Sequence, residues 1–171
     1  MQEILFDEQT IAARIRTLAE QISKDYAGKE LVMLCILKGA FIFSADLMRR
    51  LTIPVTVEFI QAASYGSSRD SSHEIVIKKD IEAGIEGKHL LLADTIIDTG
   101  VTMDCLMRTF QARNPASIRA VALLDKKDRR IIEVPVAYLG FEIPDVFVVG
   151  YGMDYGERYR NLPYIASLRE E

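Results

Sequence analysis

Ten residues, Asp94 to Met103, carry the strongest chemical signal in this sequence. They read DTIIDTGVTM, directly after the apolar run KHLLLA and directly before a helical pattern. A strand feeding a short Thr-Gly-x-Thr loop and a helix start makes an anion site. The N–H groups of residues 99 to 102 would lack intrahelical acceptors and lie at the positive end of the helix dipole. Thr99 and Thr102 add hydroxyls, and Gly100 lets the backbone approach an anion closely. Asp98 is unfavourable beside such a site unless it accepts a proton or binds a hydroxyl. The plain alternative is a βα turn with a Thr cap and an Asp in the first turn. These residues alone leave the two readings balanced. The segment lacks the G-x-x-x-x-G-K-[ST] spacing, so it is no Walker A loop.

The elements that must position this loop follow from periodicity. Ile11, Ile15, Leu18 and Ile22 predict an amphipathic helix over 8–26, closed by Gly28. LVMLCIL (31–37) is an unbroken apolar run that suits a parallel strand buried on both faces. A helix is predicted over 40–50, then a half-buried strand in which Val55, Val57 and Phe59 alternate with polar residues. SYGSSRDSSHE (64–74) has no aliphatic residue and predicts a mobile surface loop. Strands are predicted at 75–79, 89–93, 117–124 and 145–151, with a helix at about 102–112 bearing Met103, Leu106, Met107 and Phe110 on one face. Buried strands alternating with helices predict one α/β domain over 1–171, with an open, mostly parallel sheet and ligands beyond its carboxyl edge.

Charge and cysteine content exclude some functions. With 21 basic against 25 acidic residues the net charge is −4, which argues against a nucleic-acid partner. The tightest basic group is Lys126, Lys127, Arg129 and Arg130, and a solvated loop explains it as well as a binding role does. Cys35 and Cys105 sit among apolar neighbours and read as buried thiols. No apolar stretch reaches membrane-spanning length and no signal-peptide pattern opens the chain, so a cytoplasmic protein is expected.

LLLADTIIDTGVTM resembles the phosphoribosyl-diphosphate motif of the type I phosphoribosyltransferases. LCILKGAFIFSADL, SYG, LLDKK and GFEIPDVFVVGYGMDYGERYRNLP extend the resemblance over nearly the whole chain, toward the hypoxanthine-guanine branch. The resemblance implies an open sheet with a small hood region and a flexible active-site loop. It implies transfer of a 5-phosphoribosyl group to hypoxanthine or guanine, with Mg²⁺ as cofactor, in a homodimer or homotetramer. It assigns the 5′-phosphate to Asp98, Thr99, Gly100, Val101 and Thr102, and makes Asp98 the catalytic proton acceptor or donor at N7 of the base. Lys38, Gly39 and Arg160 would reach diphosphate, with a non-proline cis peptide at the Lys38 loop. Lys126 would donate to the 6-oxo group, Phe147 would stack on the base, and the Val148 backbone would read its far edge. Asp154, with Asp94, would meet the Mg²⁺ that diphosphate oxygens and water mostly hold. Ser64 and Tyr65 would form the tip of the closing loop.

One pair departs from the family pattern. Asp94-Thr95 stands where the family usually has Glu then Asp, two carboxylates that hold the ribose hydroxyls and support the metal. Thr95 keeps a hydroxyl for ribose but loses a charge, so the expectation is retained activity with weakened affinity for the Mg²⁺-bound donor, restored by Thr95→Asp. The competing readings are an RNA-binding or otherwise non-catalytic regulator on the same fold, and an enzyme for another base such as xanthine or uracil. Lys126 and Phe147 favour 6-oxopurines over pyrimidines.

Overall fold

The computed structural model describes residues 2–65, 74–81 and 84–168. After strand β1 (Gln2–Phe6), helix α1 (Glu8–Asp25) starts on Asp7, whose carboxylate accepts from the Thr10 N–H at 2.7 Å. The helix buries Ile11, Ile15, Leu18 and Ile22, and Gly28 (φ 74°) turns the chain out of it. Strand β2 (Leu31–Leu37) follows, then α2 (Phe41–Met48), β3 (Val55–Tyr65), β4 (Glu74–Lys79), β5 (His89–Ile97), α3 (Val101–Gln111), β6 (Ser117–Asp125) and β7 (Val136–Glu142).

Six strands form one sheet in the order β4-β3-β2-β5-β6-β7, parallel throughout except for edge strand β4. From β2 the chain crosses to β3 on one side, and from β5 to β6 on the other. Right-handed crossovers that run in opposite directions put their helices on opposite faces. Accordingly Phe43 and Leu47 of α2 pack with α1, Met33 and Leu91, whereas Met103, Leu106 and Phe110 of α3 pack with Leu34, Leu90 and Leu92. Successive β2 residues therefore feed two cores, which is why LVMLCIL shows no polar alternation. The divergence leaves a crevice at the carboxyl ends of β2 and β5.

A second, three-stranded antiparallel sheet, in the order β1-β9-β8, joins the start of the chain to β8 (Phe147–Val149) and β9 (Ile165–Leu168). This corrects the strand expected at 145–151. It is shorter, because Gly150 (φ 94°) and Tyr151 (φ 49°) turn the chain, and it lies outside the main sheet. The loop expected over 64–74 is shorter too. Ser64 and Tyr65 end β3 and pair with Ile75 and Glu74 of β4, so backbone pairing continues past the last aliphatic residue. Residues 66–73 of that loop lie outside the described residues.

Candidate active site

The carboxyl end of β5 delivers Asp98, Thr99 and Gly100 into a tight turn before α3. Gly100 is the N-cap at φ 84°, and a Cβ there would collide with the Ile132 carbonyl, so glycine is required twice over. The turn is pinned from outside: Ile131 and Ile132 N–H groups both donate to Thr99 O, at 2.9 and 3.1 Å. Lys126 N–H donates to Ile97 O at 2.9 Å. Asp94, Asp98, Thr99, Gly100 and Thr102 line a cavity of 110 Å³, the scale of one tetrahedral oxyanion rather than a nucleotide. Val101 is buried, and its N–H faces the Thr99 hydroxyl at 3.4 Å.

A larger cavity of 420 Å³ adjoins it, sharing Ile96 and Asp98. Lys38, Gly39, Lys126, Phe147, Val148, Asp154 and Arg160 all line it, from segments spread over most of the chain. The peptide Leu37–Lys38 is cis, as the resemblance implied. Lys126 is buried, with its ammonium 3.9 Å from Asp145, whereas the Phe147 ring is 46% exposed and meets Tyr155 edge-on at 5.5 Å. An aromatic ring left that open at a cavity wall is available for stacking. Val148 is buried in β8, in register with Ser167.

Charges across this cavity are arranged in pairs. Asp154 forms an ion pair with Arg160 at 2.8 Å and accepts from the Glu157 N–H at 2.9 Å. Lys38 donates to Glu157 at 3.1 Å, and Glu157 also meets Arg160 at 3.3 Å; both contacts hold the Glu157 carboxyl below its usual range. Asp98 has the Arg129 Nε 3.1 Å from its Oδ1, at an angle that makes no hydrogen bond, and Arg129 also lies 3.6 Å from Asp145. The sequence placed Arg129 only in a basic group left open between a solvated loop and a binding role, and gave no role to Asp145 or Glu157. The basic group that a solvated loop would have explained divides four ways: Lys126 is buried at the cavity and Lys127 pairs with Glu142. Arg129 faces Asp98, and Arg130 is buried against Asp125.

Two predicted residues sit differently from expectation. Thr95 is fully buried, lines neither cavity, and its hydroxyl donates to Gly39 O at 3.0 Å. Asp94 is partly buried, and loss of water pushes its carboxyl up to about 7 although the Thr95 and Ile96 N–H groups oppose the shift. The side chains of Ser64 and Tyr65 lie outside the described residues.

Among the described residues no cluster of three or more His, Cys, Asp or Glu side chains could cage a cation. Asp154 already meets the Arg160 guanidinium and the Glu157 N–H, and Asp94 lines the smaller cavity while Asp154 lines the larger. Such a donor set suits a hard cation that arrives on substrate oxygens and keeps much of its water.

Comparison with known proteins agrees with this geometry. A model of the phosphoribosyl transferase domain matches residues 1–156. The hypoxanthine phosphoribosyltransferase of Haemophilus influenzae is 45% identical over 169 residues, covering 97% of this chain and 94% of that protein. The hypoxanthine-guanine phosphoribosyltransferase of Dictyostelium discoideum is 44% identical, covering 99% and 97%. A crystal structure of a Bacillus anthracis hypoxanthine-guanine phosphoribosyltransferase with HEPES in its active site superposes with a TM-score of 0.94 at 41% identity, covering 98% of each chain. An anion turn and a many-sided cavity at the switch point, with relatives matched along nearly their whole length, place the assignment beyond the fold alone: the chain belongs to the phosphoribosyl transferase family, in its hypoxanthine-guanine branch.

Proposed function

We propose that this protein transfers the 5-phosphoribosyl group of phosphoribosyl diphosphate to N9 of hypoxanthine or guanine, releasing diphosphate, as a purine-salvage enzyme. The observation that carries the reading is the pair of adjoining cavities, with Asp98 in the wall of both. The 5′-phosphate sits in the smaller one, on the amides and hydroxyls of residues 99–102. The larger holds base and diphosphate, with Lys126 and Phe147 toward the base and Lys38, Gly39 and Arg160 toward the diphosphate. As the N9–C1′ bond forms, the C1′–O bond breaks and diphosphate leaves with the electron pair. Mg²⁺ bound with the diphosphate would supply charge neutralisation, and Asp154 would be the carboxylate that meets it. The base must shed one proton, and Asp98 takes it at N7. Lys126 donates to a 6-oxo acceptor and repels the 6-amino donor of adenine. Ser64 and Tyr65 belong to the closing loop in this reading, and a homodimer or homotetramer is its assembly, measurable as a mass in solution.

The test is nucleotide formation from purified protein, Mg²⁺, phosphoribosyl diphosphate and one base at a time. Inosine and guanosine monophosphates are expected, and adenosine monophosphate is not. Product with adenine alone, or no product from any base even at high Mg²⁺, would overturn the proposal.

A further inference from the structure

The Gly39 carbonyl is held from two sides, and neither holder touches the cavity chemistry directly. On one side is the Thr95 hydroxyl at 3.0 Å, reaching across 56 residues of sequence from a fully buried position on β5. On the other is Gly152 (φ 95°), where a Cβ would fall on the Gly39 oxygen. Gly152 is locked in turn to Arg160: its N–H donates to Arg160 O at 3.0 Å, and its own carbonyl accepts from Arg160 Nη1 at 2.8 Å. Lys38 joins the same group through Glu157, which it shares with Arg160. The three cavity residues proposed for diphosphate, Lys38, Gly39 and Arg160, are thus one connected unit, and Thr95 fastens that unit to the central sheet.

We infer that Thr95 is a positioning residue for the diphosphate subsite, acting through the Gly39 carbonyl; this rests on the transfer reaction proposed above. A carbonyl only accepts, so residue 95 must donate. A threonine or serine hydroxyl meets that need. Valine has the shape without the donor, and an ionised aspartate would set oxygen against oxygen. The departure at Thr95 therefore supports donor binding, and Thr95→Asp no longer has a reason to improve it.

The experiment compares the full-length natural chain with Thr95→Val, Thr95→Ser and Thr95→Asp. Rates are measured with phosphoribosyl diphosphate varied at saturating base and with base varied at saturating phosphoribosyl diphosphate. Losing one buried hydrogen bond and the alignment it sets predicts a KM for phosphoribosyl diphosphate raised about tenfold in Thr95→Val. The base KM stays within about twofold, and Thr95→Ser recovers most of the loss. Thr95→Asp matches or exceeds the valine defect, at limiting Mg²⁺ as well. Calorimetric binding of Mg²⁺-diphosphate repeats the comparison without catalysis, so it still reads the latch if the natural chain makes no nucleotide and the transfer reading itself fails. If Thr95→Val does not fold, Thr95→Ala takes its place in both assays. Unchanged diphosphate-side affinity in the donor-less variant overturns the inference. So does a uniform loss in both KM values and kcat that serine fails to rescue, or a gain of affinity in Thr95→Asp.

Discussion

Asp98 faces a cation before it faces a base. The Arg129 guanidinium lies 3.1 Å from its carboxylate and 3.6 Å from Asp145, and Asp98, Lys126 and Arg129 line the same cavity. In the proposed reaction a purine whose N7 meets Asp98 takes the place of this guanidinium. Asparagine at 98 keeps the shape and accepts no proton. Asp98→Asn is therefore expected to lower kcat by about 10²- to 10³-fold, the usual worth of a positioned proton acceptor. The KM for phosphoribosyl diphosphate should move little. Steady-state kinetics on both substrates read this, and a kcat within a factor of about three of the natural value would remove Asp98 from proton transfer.

The turn between β5 and α3 is held by the crossover from β6 to β7 as much as by its own residues. Thr99 O accepts two N–H groups from that crossover, and Gly100 sits against its Ile132 carbonyl. Adding a methyl group at 100 meets a left-handed backbone and a backbone oxygen at once. Gly100→Ala is predicted to destabilise the fold by about 1–3 kcal/mol, and to weaken 5′-phosphate binding as the turn shifts. Denaturant titration and inosine monophosphate binding check the two effects. A variant with natural stability and affinity would mean the turn accommodates strain that this packing does not allow.

Folding equilibrium belongs to the whole molecule, and Asp94 gives it an unusual pH dependence. Unfolded, this carboxyl releases its proton near 3.8; folded, burial delays release to about 7. Between those values the folded chain holds the extra proton, so the contribution of Asp94 to stability is present at low pH and lost as pH rises toward 7. Each unit of such a shift is worth about 1.4 kcal/mol. Asp7, Asp25, Asp80 and Glu157 are shifted downward, so their contributions appear as pH rises, but they lie at the surface and count for less. Urea unfolding at about pH 5 and about pH 7 should show Asp94→Asn gaining on the natural chain by about 1–3 kcal/mol at the higher pH. An identical difference at both pH values would mean Asp94 is not held protonated by the fold.

The strand-to-helix turn at 98–102, the buried β2 and β5, and the amphipathic α1 were legible in the residues, because each leaves its own mark in the local sequence: an unbroken apolar run, a helical period or a Thr-Gly-x-Thr spacing. Strands β1, β7 and β9 were not, since short strands with weak alternation owe their existence to pairing partners far along the chain. Site residues divided the same way. The types and spacing of Asp98, Thr99, Gly100 and Thr102 admitted an anion site beside a plain βα turn, and the motif resemblance favoured the anion and pointed to Lys38, Lys126, Phe147, Asp154 and Arg160. That Arg129 lies on Asp98, that Arg130 is buried on Asp125, and that the Thr95 hydroxyl is bonded to Gly39 O are facts of three-dimensional packing. A lone charge or hydroxyl carries no record in its local sequence of the partner that folding brings to it. The sequence by itself determined the core strands and, through the motif resemblance, the family; tertiary structure decided which charges meet and what the Thr95 hydroxyl serves, because Thr95 and Gly39 lie 56 residues apart, Lys38 and Glu157 lie 119 apart, and only folding brings them within reach.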